Sequence, residues 1–573
     1  MSKEKRTSPA WVDILPWVFA LSLGVLGLWQ FHNTEFNSHF DLVPGGRGDP
    51  RMITAALEYV HQALNGLGQI ASPAFYYPAP HTLGYADTFF TYQVLYHWFR
   101  QENLDIFSSF QMCVLISDLL NYVFCFLLLN RGFRFGAPAS AIGAFFFAFN
   151  CPKFNQIGHA QLQCLFWLPL FVWCGVIFLR DHKTLTRFQA FFLLSAAAIG
   201  LNLQLLTTFY PSWFFLFWIF LFLMFLIGNG ETRGYLFKLF RKFKLSLGGA
   251  LLVFFAGLVP FLWLYLPVIL KLGGKGYDEV KMMIPGISSF FWMGPRHGWW
   301  GWIWDNCQAI RELPVEGEER MGMGLAVEGA WVSLSLAALS WIFRGRNKKP
   351  FWFQWLIPND KQIIYFHFFI GAVLSTNLFI LLGLKFGDFS LWHLVYWFVP
   401  GAKAVRAVSR YILFLGFPIG VVLSYVCERL LRKISEIRDD FQKWGLALLT
   451  TSFIVVAVWE QVNLPPYPAF SKSTELQRLE YLSEKLPASC RLFYVTANPA
   501  LPLIPDYSAT DIQIDAMLLS AVRGIPTLNG YSGHSPENWG LYKVRSPQYG
   551  KYVSDWMTLN GLREPACQLD IDR

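Results

Sequence analysis

Two aspartates near the start of the chain could serve as catalytic carboxylates. Asp49 follows a glycine-rich stretch at 45–48 and precedes Pro50. Asp87 comes later in the same polar segment, after an aromatic and proline-rich run at 76–81. A carboxylate that faces a reacting hydroxyl can accept its proton as a general base, and a second carboxylate can orient the reacting groups. We therefore take these two aspartates as the candidate catalytic residues.

Both aspartates also have structural explanations. An Asp before a Pro is typical of a helix start, so Asp49 could simply cap a helix. Asp87 could be a solvated loop acid, and Asp41 is a third candidate in the same segment. The glycines at 45, 46 and 48 favour a site at Asp49, because glycine lets the backbone approach a ligand closely and a cap does not need three of them.

A second segment, 151–161, is rich in side chains that could bind a phosphate. It contains Lys153, His159 and Gln161, with further amides between them. Ammonium, imidazole and amide groups are suitable donors to phosphate oxygens. The alternative is a polar turn whose Lys and His side chains reach out to the membrane interface.

A third segment carries Arg406 and Arg410, which would share one face of a helix because they are four residues apart. Lys403 falls on a similar side. This cationic face is predicted on the outer side of the membrane, against the usual distribution of positive charge. An anionic headgroup bound there would explain it, and a membrane-surface anchor is the alternative.

The elements that must position these residues are membrane helices. The 573-residue chain is 54% apolar and 18% aromatic, and only 15% of its residues are charged. Long uncharged runs such as 14–31 and 210–227 approach the roughly 20 residues needed to cross a bilayer. The sequence therefore predicts a mainly α, polytopic bundle in a lipid bilayer. The net charge of +9 needs no nucleic acid partner, because membrane topology accounts for it.

Eleven apolar runs could cross the membrane. Lys and Arg cluster in alternate connections, and the start of the chain is basic as well. This pattern predicts a cytoplasmic amino terminus and, with an odd number of spans, a tail outside the cytoplasm. The runs begin near Ile14, Ile106, Pro138, Gln161, Phe188, Pro211, Leu245, Met323, Ile363, Tyr411 and Leu446.

The outer segments suggest two domains, a bundle at 1–462 that includes the outer loop 32–104, and an extracytoplasmic domain at 463–573. In the outer loop, apolar residues at helical spacing between Ile53 and Leu64 predict an amphipathic helix on the membrane surface. A second, aromatic helix is predicted around 89–99. The tail has a strand-like run at 491–496, which predicts a small α/β fold.

The cysteines show no paired metal-type spacing among nine residues. Cys490 and Cys567 both lie in the tail and could form a disulfide if that region is outside the cytoplasm. A Walker-type phosphate loop, a Gly-x-Gly-x-x-Gly motif and clustered zinc ligands are missing from the sequence. No cofactor is predicted, and a divalent metal stays open.

These motifs together resemble the bacterial GT-C membrane glycosyltransferases that use polyprenyl-phosphate-linked sugars. The resemblance implies a multi-span bundle with two surface helices in its first outer loop, and Asp49 matches the aspartate near that family's catalytic centre. It implies a sugar donor on polyprenyl phosphate or diphosphate. The matching runs are Gly48-Asp49-Pro50, Phe75 to Asp87, Ile157 to Gln161, Val399-Pro400-Gly401 with Arg406 and Arg410, and Thr527 to Gly533.

The function expected from this resemblance is sugar transfer to a glycan, lipid or protein acceptor at the outer face of a bacterial inner membrane. Asp49 would act as the base, and the two arginines with His159 or Lys153 would hold the phosphate. The alternative is a transporter or lipid flippase for an envelope glycan precursor. In that case Asp118 and Glu328, which lie within predicted spans, would be coupling groups.

Overall fold

The computed structural model describes residues 10–344, 363–464, 467–497 and 508–571. Within these ranges the chain is mainly helical, and nine helices are long and apolar enough to cross a membrane. The predicted mainly α, multi-pass membrane bundle is therefore confirmed. Some basic residues that supported the predicted orientation lie outside the described residues, namely Lys3, Lys5, Arg6, Arg346, Lys348 and Lys349.

The helices range in length from 4 to 43 residues, and the strands have 2 to 4 residues. In chain order the α-helices are α1 (Ala10–Asn37), α2 (Asp49–Leu64), α3 (Phe90–Gln101), α4 (Ile106–Leu127), α5 (Ala137–Ala148), α6 (Cys151–Asn155), α7 (Trp167–Asp181), α8 (Arg187–Thr207), α9 (Phe209–Gly228), α10 (Gly230–Leu272), α11 (Tyr277–Met282), α12 (Ile303–Asn306), α13 (Gln308–Arg311), α14 (Leu325–Arg344), α15 (Ile363–Leu382), α16 (Trp392–Phe398), α17 (Tyr411–Glu436), α18 (Asp440–Trp459), α19 (Lys472–Lys485), α20 (Ala509–Arg523) and α21 (Tyr549–Leu559). The strands are β1 (Leu42–Pro44), β2 (Lys385–Phe386), β3 (Phe389–Ser390), β4 (Ala469–Ser471), β5 (Phe493–Thr496) and β6 (Cys567–Asp570).

Each of the eleven predicted spans corresponds to a helix. Nine of these helices are the ones long and apolar enough to cross a membrane, and the other two are α15, whose apolar stretch Phe366–Leu382 is shorter, and α5. Helix α5 is too short to cross a bilayer alone, because it has 12 residues, or about 18 Å at 1.5 Å per residue, against a hydrocarbon core of about 30 Å. The chain after α5 continues through the short helix α6 and an irregular stretch before α7 returns. The third predicted span is therefore a broken one.

The break after α5 corrects the prediction of a polar turn at the membrane surface. Lys153, in this break, has a fully buried side chain whose ammonium lies 3.3 Å from Asp118 of α4. Asn150 accepts a hydrogen bond from the Lys153 amide, and Gln163 donates to the carbonyls of Lys153 and Gln156. Non-helical backbone is tolerated at membrane depth only where protein covers it and satisfies its polar groups.

Three segments meet at one end of the bundle, here called the site end: residues 38–105, residues 273–324 and the tail. β1 of the first segment pairs with β4 of the tail in an antiparallel ladder. The amide of Leu464 donates to the carbonyl of Arg296, which joins the second segment to the start of the tail. At the opposite end, Arg180 donates to the carbonyls of Arg131 and Gly132.

The predicted amphipathic helix of the first segment exists as α2, but it does not lie on a surface. Its residues 50–61 are buried without interruption, because α20 of the tail covers the face turned away from the bundle. The guanidinium of Arg51 is fully buried and contacts Glu475, Asp511 and Asp515 of the tail. The spacing of apolar residues in the sequence predicted that only one face of α2 is buried. Its polar face is buried as well, because the charge on that face is paired.

The tail is a small α/β unit, as predicted. β5 pairs with β6 in parallel, and the predicted strand at 491–496 corresponds to β5. The predicted disulfide between Cys490 and Cys567 is present. A segment at 527–529 also forms main-chain hydrogen bonds with residues 74–77 of the first segment. The tail is therefore fixed to the segment that carries both candidate catalytic aspartates.

Candidate functional site

The position of the first candidate, Asp49, depends on a contact between Gly45 and Gly158. Gly45 has φ +97° and packs so closely on Gly158 that a Cβ built on Gly45 would lie 2.4 Å from the Gly158 Cα. The N-cap of α2 is Gly48, so Asp49 is already the first helical residue. Its carboxylate Oδ2 lies 3.1 Å from His159 Nε2. Gly45 therefore allows a close approach of one loop to another, whereas a Cβ built on Gly48 would meet nothing within 4 Å.

His159 lies between the carboxylate of Asp49 and the guanidinium of Arg410. The same Nε2 atom that faces Asp49 lies 2.9 Å from Nη2 of Arg410. A ring nitrogen carries either a proton or a lone pair, so Nε2 can satisfy only one of these partners at a time. Burial and the neighbouring Arg410 cation lower the pKa of His159, which favours the neutral ring.

The partner of Arg410 is Glu318, a residue that the sequence did not single out. Two nitrogens of Arg410 donate to the two carboxylate oxygens of Glu318 at 2.6 and 2.9 Å. Although burial acts in the opposite direction, the guanidinium holds the pKa of Glu318 below its usual value. The guanidinium also lies 5.8 Å from the ring centroid of Tyr210. Glu318 sits in a weakly structured segment, so only the three-dimensional contact identifies it.

Asp87 is not the freely solvated loop acid of the alternative interpretation. Its carboxylate accepts a hydrogen bond from the Phe209 amide at 2.8 Å, and the Thr208 hydroxyl lies at 3.4 Å. It therefore caps α9, and the Gln161 side chain also bonds to it. Burial raises the pKa of Asp87 to about 6, despite these hydrogen bonds and the nearby Arg410.

Arg406 joins the same region from a stretch that is not an α-helix. The backbone is extended at Val405, so the predicted shared helical face with Arg410 is wrong, and α17 begins only at Tyr411. The Arg406 amide donates to the hydroxyl of Tyr210 at 2.9 Å. Its guanidinium lies 3.5 Å from Glu279, and 40% of the side chain is exposed.

Two predicted phosphate ligands make contacts of a different kind. The ammonium of Lys153 is bonded to Asp118 and to the carbonyls of Ala148 and Gln163, inside the bundle. Lys403 is exposed, and its ammonium lies 4.2 Å from the ring centroid of Trp397. Asp41, the third candidate acid, accepts hydrogen bonds from Ser471 and Ser473 and so holds the tail.

The structure thus brings six predicted residues together at the site end and adds Glu318. The cluster is electrically mixed, with carboxylates and guanidinium groups alternating around one neutral histidine. Such a site can remove a proton and stabilise a negatively charged leaving group. Among the described residues, no group of three or more His, Cys, Asp and Glu side chains is arranged to hold a metal ion. The six predicted residues are Asp49, Asp87, His159, Gln161, Arg406 and Arg410.

Comparisons with known proteins gave distant structural likenesses only. No family model matches the chain, and no curated protein matches it. An oligosaccharyltransferase from Archaeoglobus fulgidus, tethered to an acceptor peptide, is similar with a TM-score of 0.47 and 12% identity, over 96% of this chain and 69% of that one. ArnT from Cupriavidus metallidurans, bound to undecaprenyl phosphate, is similar with a TM-score of 0.36 and 12% identity, over 98% of this chain and 93% of that one. At such distances, a function for this chain has to be argued from its own site.

Proposed function

We propose that this protein is a membrane glycosyltransferase. It moves a sugar from a polyprenyl-phosphate- or polyprenyl-diphosphate-linked donor to a hydroxyl of an acceptor. The observation that carries this proposal is the contact chain from Asp49 through His159 to Arg410, at one end of an apolar helix bundle. A lipid-linked donor needs such a combination, because the base must face the acceptor while cations face the phosphate at the edge of the bilayer.

In the proposed step, the acceptor hydroxyl oxygen attacks the anomeric carbon of the donor sugar. Asp49 takes the hydroxyl proton as the new carbon–oxygen bond forms. The bond between the anomeric carbon and the phosphate oxygen breaks, and its electron pair leaves with the lipid phosphate. Arginine side chains offset the negative charge that grows on this leaving group.

The two arginines are suited to different roles. Arg410 is paired with both oxygens of Glu318 and only 11% of its side chain is exposed, so much of its charge is already balanced. Arg406 has a longer contact of 3.5 Å to Glu279 and a side chain that is 40% exposed. Arg406 is therefore the better phosphate ligand, and Arg410 positions His159.

His159 can hold either neighbour, depending on its tautomer. In the neutral ring with its proton on Nε2, this N–H donates a hydrogen bond to the ionised carboxylate of Asp49. In the tautomer with the proton on Nδ1, the lone pair of Nε2 accepts a hydrogen bond from Arg410, or from Asp49 after Asp49 has taken the acceptor proton. The two partners lie at 3.1 and 2.9 Å from Nε2, so in either tautomer the ring stays beside the base.

The proposed location is the outer face of a bacterial inner membrane. Basic residues concentrate at the end of the bundle opposite the site, as they do on the cytoplasmic side of membrane proteins. The tail, which contains the disulfide between Cys490 and Cys567, lies at the site end, and disulfides persist mainly outside the cytoplasm. The described basic residues at the opposite end include Arg131, Arg134, Arg180, Lys183 and Arg187.

The test is transfer of the sugar from a polyprenyl-phosphate- or polyprenyl-diphosphate-linked donor to supplied hydroxyl-bearing acceptors by purified protein reconstituted in lipid. We expect Asp49→Asn to lower the rate by about 10²- to 10⁴-fold, the usual contribution of a general base. Glu102→Gln, which alters an exposed carboxylate of the same segment, is the matched control and should keep wild-type activity. Arg406→Gln should raise the donor KM about tenfold, because a charged hydrogen bond is lost.

Full activity of a folded Asp49→Asn protein would remove Asp49 from the mechanism. Donor movement across proteoliposomes without any covalent change would instead favour the transporter alternative. Asp118 and Glu328, the coupling groups of that alternative, already have partners, since Asp118 contacts Lys153 and Glu328 accepts a hydrogen bond from the Met323 amide.

A further inference from the structure

A cavity of about 590 Å³ lies at the site end, between the first segment and the tail. Its walls are Tyr76, Lys275, the tail loop 530–535, Trp539 and Tyr542. This volume is within the range of roughly 300–1,000 Å³ that is typical of small-molecule sites. The glycosyl-transfer chemistry described above makes no use of these residues.

The cavity borders the segments that carry the proposed catalytic residues. Its loop rests on the segment that carries Asp87, since a Cβ built on Gly533 would lie 2.8 Å from the carbonyl oxygen of Tyr85. On the other side, the Lys275 amide donates to the carbonyl of Lys403 at 2.9 Å, three residues before Arg406. Tyr531, which lines the cavity, is near enough to Asp49 for the two side chains to interact electrostatically. The cavity is therefore a neighbour of the site, and Tyr531 is the lining residue that connects it to Asp49.

The lining combines aromatic rings with neutral hydrogen-bonding groups. Tyr531 and Tyr542 present rings with polar tips, Trp539 adds an aromatic ring, and Ser532 and Ser535 add hydroxyls. A sugar ring has one apolar C–H face and an edge of hydroxyls. Amphipathic aromatic rings suit the first, and hydroxyl or amide groups suit the second.

Most of the groups that line the cavity are neutral, and the part of the lining that the structure describes includes no Asp or Glu. Among the described residues that line it, the one Lys or Arg is Lys275, whose ammonium donates to the Gly533 carbonyl at 2.9 Å. His534 also lines the cavity, and burial and the Lys275 cation lower its pKa to about 4. The imidazole is therefore neutral at physiological pH and can donate one hydrogen bond and accept another.

The loop 530–535 that forms one wall of the cavity is fixed by hydrogen bonds and by packing. The side-chain oxygen of Gln513 accepts hydrogen bonds from the Gly530 amide and from Asn529, both at 3.0 Å. Gly530 packs against the ring of Tyr76, where a Cβ would lie 2.7 Å from ring carbons. The loop is thus fixed before a ligand binds, which reduces the entropic cost of binding.

We propose that this cavity is the acceptor site and that the acceptor is a carbohydrate, one of whose hydroxyls points towards Asp49. The inference rests on the proposed glycosyl transfer and narrows the acceptor from glycan, lipid or protein to glycan. Tyr531 and Tyr542 would stack on the sugar, and His534 with the two serines would bind its hydroxyls.

The test is binding of soluble sugars to the full-length protein in a detergent without a sugar headgroup, followed by saturation-transfer difference NMR. Maltotriose, N,N′-diacetylchitobiose and mannobiose serve as probes, with a short peptide and glycerol phosphate for comparison. We expect saturable binding of at least one sugar by the wild type. Ser535→Trp should weaken it about tenfold or more, because an exposed position at the cavity wall gains a bulky ring.

Ser554→Trp is the matched control, because Ser554 is an exposed serine of α21, on the same tail domain. It should bind the sugars as the wild type does. Tyr542→Ala, at a side chain that is 56% exposed, provides a second test that does not rely on a bulky substitution, and it should weaken binding too. Binding that is unchanged in both cavity variants, or a preference for the peptide or glycerol phosphate, would overturn the proposal.

These measurements need no donor, so they separate this inference from the proposed function. Donor consumption by the wild type with no sugar bound in the cavity would leave glycosyl transfer standing and overturn only the acceptor assignment. Sugar binding without donor consumption would support the cavity and count against the proposed reaction.

Discussion

Two of the places where the structure combines a histidine with a carboxylate differ in their access to solvent. At the site end, the side chains of His159 and Asp49 are 27% and 28% exposed. Deeper in the bundle, His32 lies 3.3 Å from Asp118, which also pairs with Lys153, and each of these side chains is at most 2% exposed. Similar chemical groups therefore occur in two very different environments.

The difference distinguishes a cluster that supports the fold from the cluster that we propose to be catalytic. Charges buried away from water are costly unless each is paired, and Asp118 accordingly contacts Lys153, His32 and Asn121. At the site end, His159 has more partners than one ring nitrogen can satisfy, and water or substrate can reach it. The buried cluster of His32, Asp118 and Lys153 fixes the non-helical stretch that follows α5. His159 lies near the other end of the same stretch.

The largest effect that we predict is a loss of stability when the buried cluster around Asp118 is disrupted. Asp118→Asn leaves the buried ammonium of Lys153 without its carboxylate, so we expect a loss of about 3–5 kcal/mol in the free energy of unfolding. Unfolding in mixed micelles with increasing SDS measures this loss. The double variant Asp118→Leu/Lys153→Met removes both charges and should recover much of the stability.

This comparison fails if Asp118→Asn is as stable as the wild type, or if its folded fraction loses activity as completely as Asp49→Asn does. Either result would mean that the buried cluster takes part in the chemistry rather than in supporting the fold.

A smaller effect is expected from the contact that joins the two loops of the site. In Gly158→Ala, the new Cβ would lie 2.9 Å from the carbonyl oxygen of Gly45, so the loops must separate. A misplacement of this size can lower the rate up to about 100-fold, and we expect a lower kcat with little loss of stability.

Gly175→Ala is the control for this substitution, because a Cβ there meets nothing within 4 Å. Alanine also favours the helical conformation over glycine, so this control should be at least as stable as the wild type and fully active. Wild-type kcat in Gly158→Ala would show that the spacing between Asp49 and His159 does not matter for the reaction.

The smallest effect concerns pH. Burial raises the pKa of Asp87 to about 6, above its value of about 3.9 in an unfolded chain. As the pH falls from 7 to 4, the folded state binds this proton first, so the stability contributed by Asp87 rises while its ability to cap α9 weakens. We expect kcat/KM to fall by less than about tenfold with a midpoint near pH 6. Asp87→Asn should remove this step, and an unchanged profile would assign the step to another group.

Much of the fold follows from local features of the sequence. Hydropathy summed over about 20 residues predicts spans such as α9 and α17, because crossing a bilayer is a requirement on each segment separately. The aromatic helix α3 and the strand β5 were also predicted from local patterns. The same local reasoning failed at α5, whose apolar composition does not reveal that the helix stops after 12 residues.

The site was predictable only in part. Asp49, His159 and Arg410 were marked by their neighbours in the sequence, and they do meet. Glu318 has no distinctive neighbours, and its role becomes visible only through its contact with Arg410, 92 residues away. Lys153 was predicted to be a site residue because it is only six residues from His159 in the sequence. In the structure it instead forms a buried ion pair with Asp118, away from the site end.

The sequence by itself determined that this chain is a multi-pass membrane protein, and it located the apolar helices and the polar connections between them. These properties depend on composition and spacing within single segments, where the bilayer acts as a uniform solvent. Only the tertiary structure decided which charged groups are paired in the interior and stabilise the fold, and which remain exposed to solvent or substrate. That division depends on pairings between distant segments and on how much water each pair can still reach.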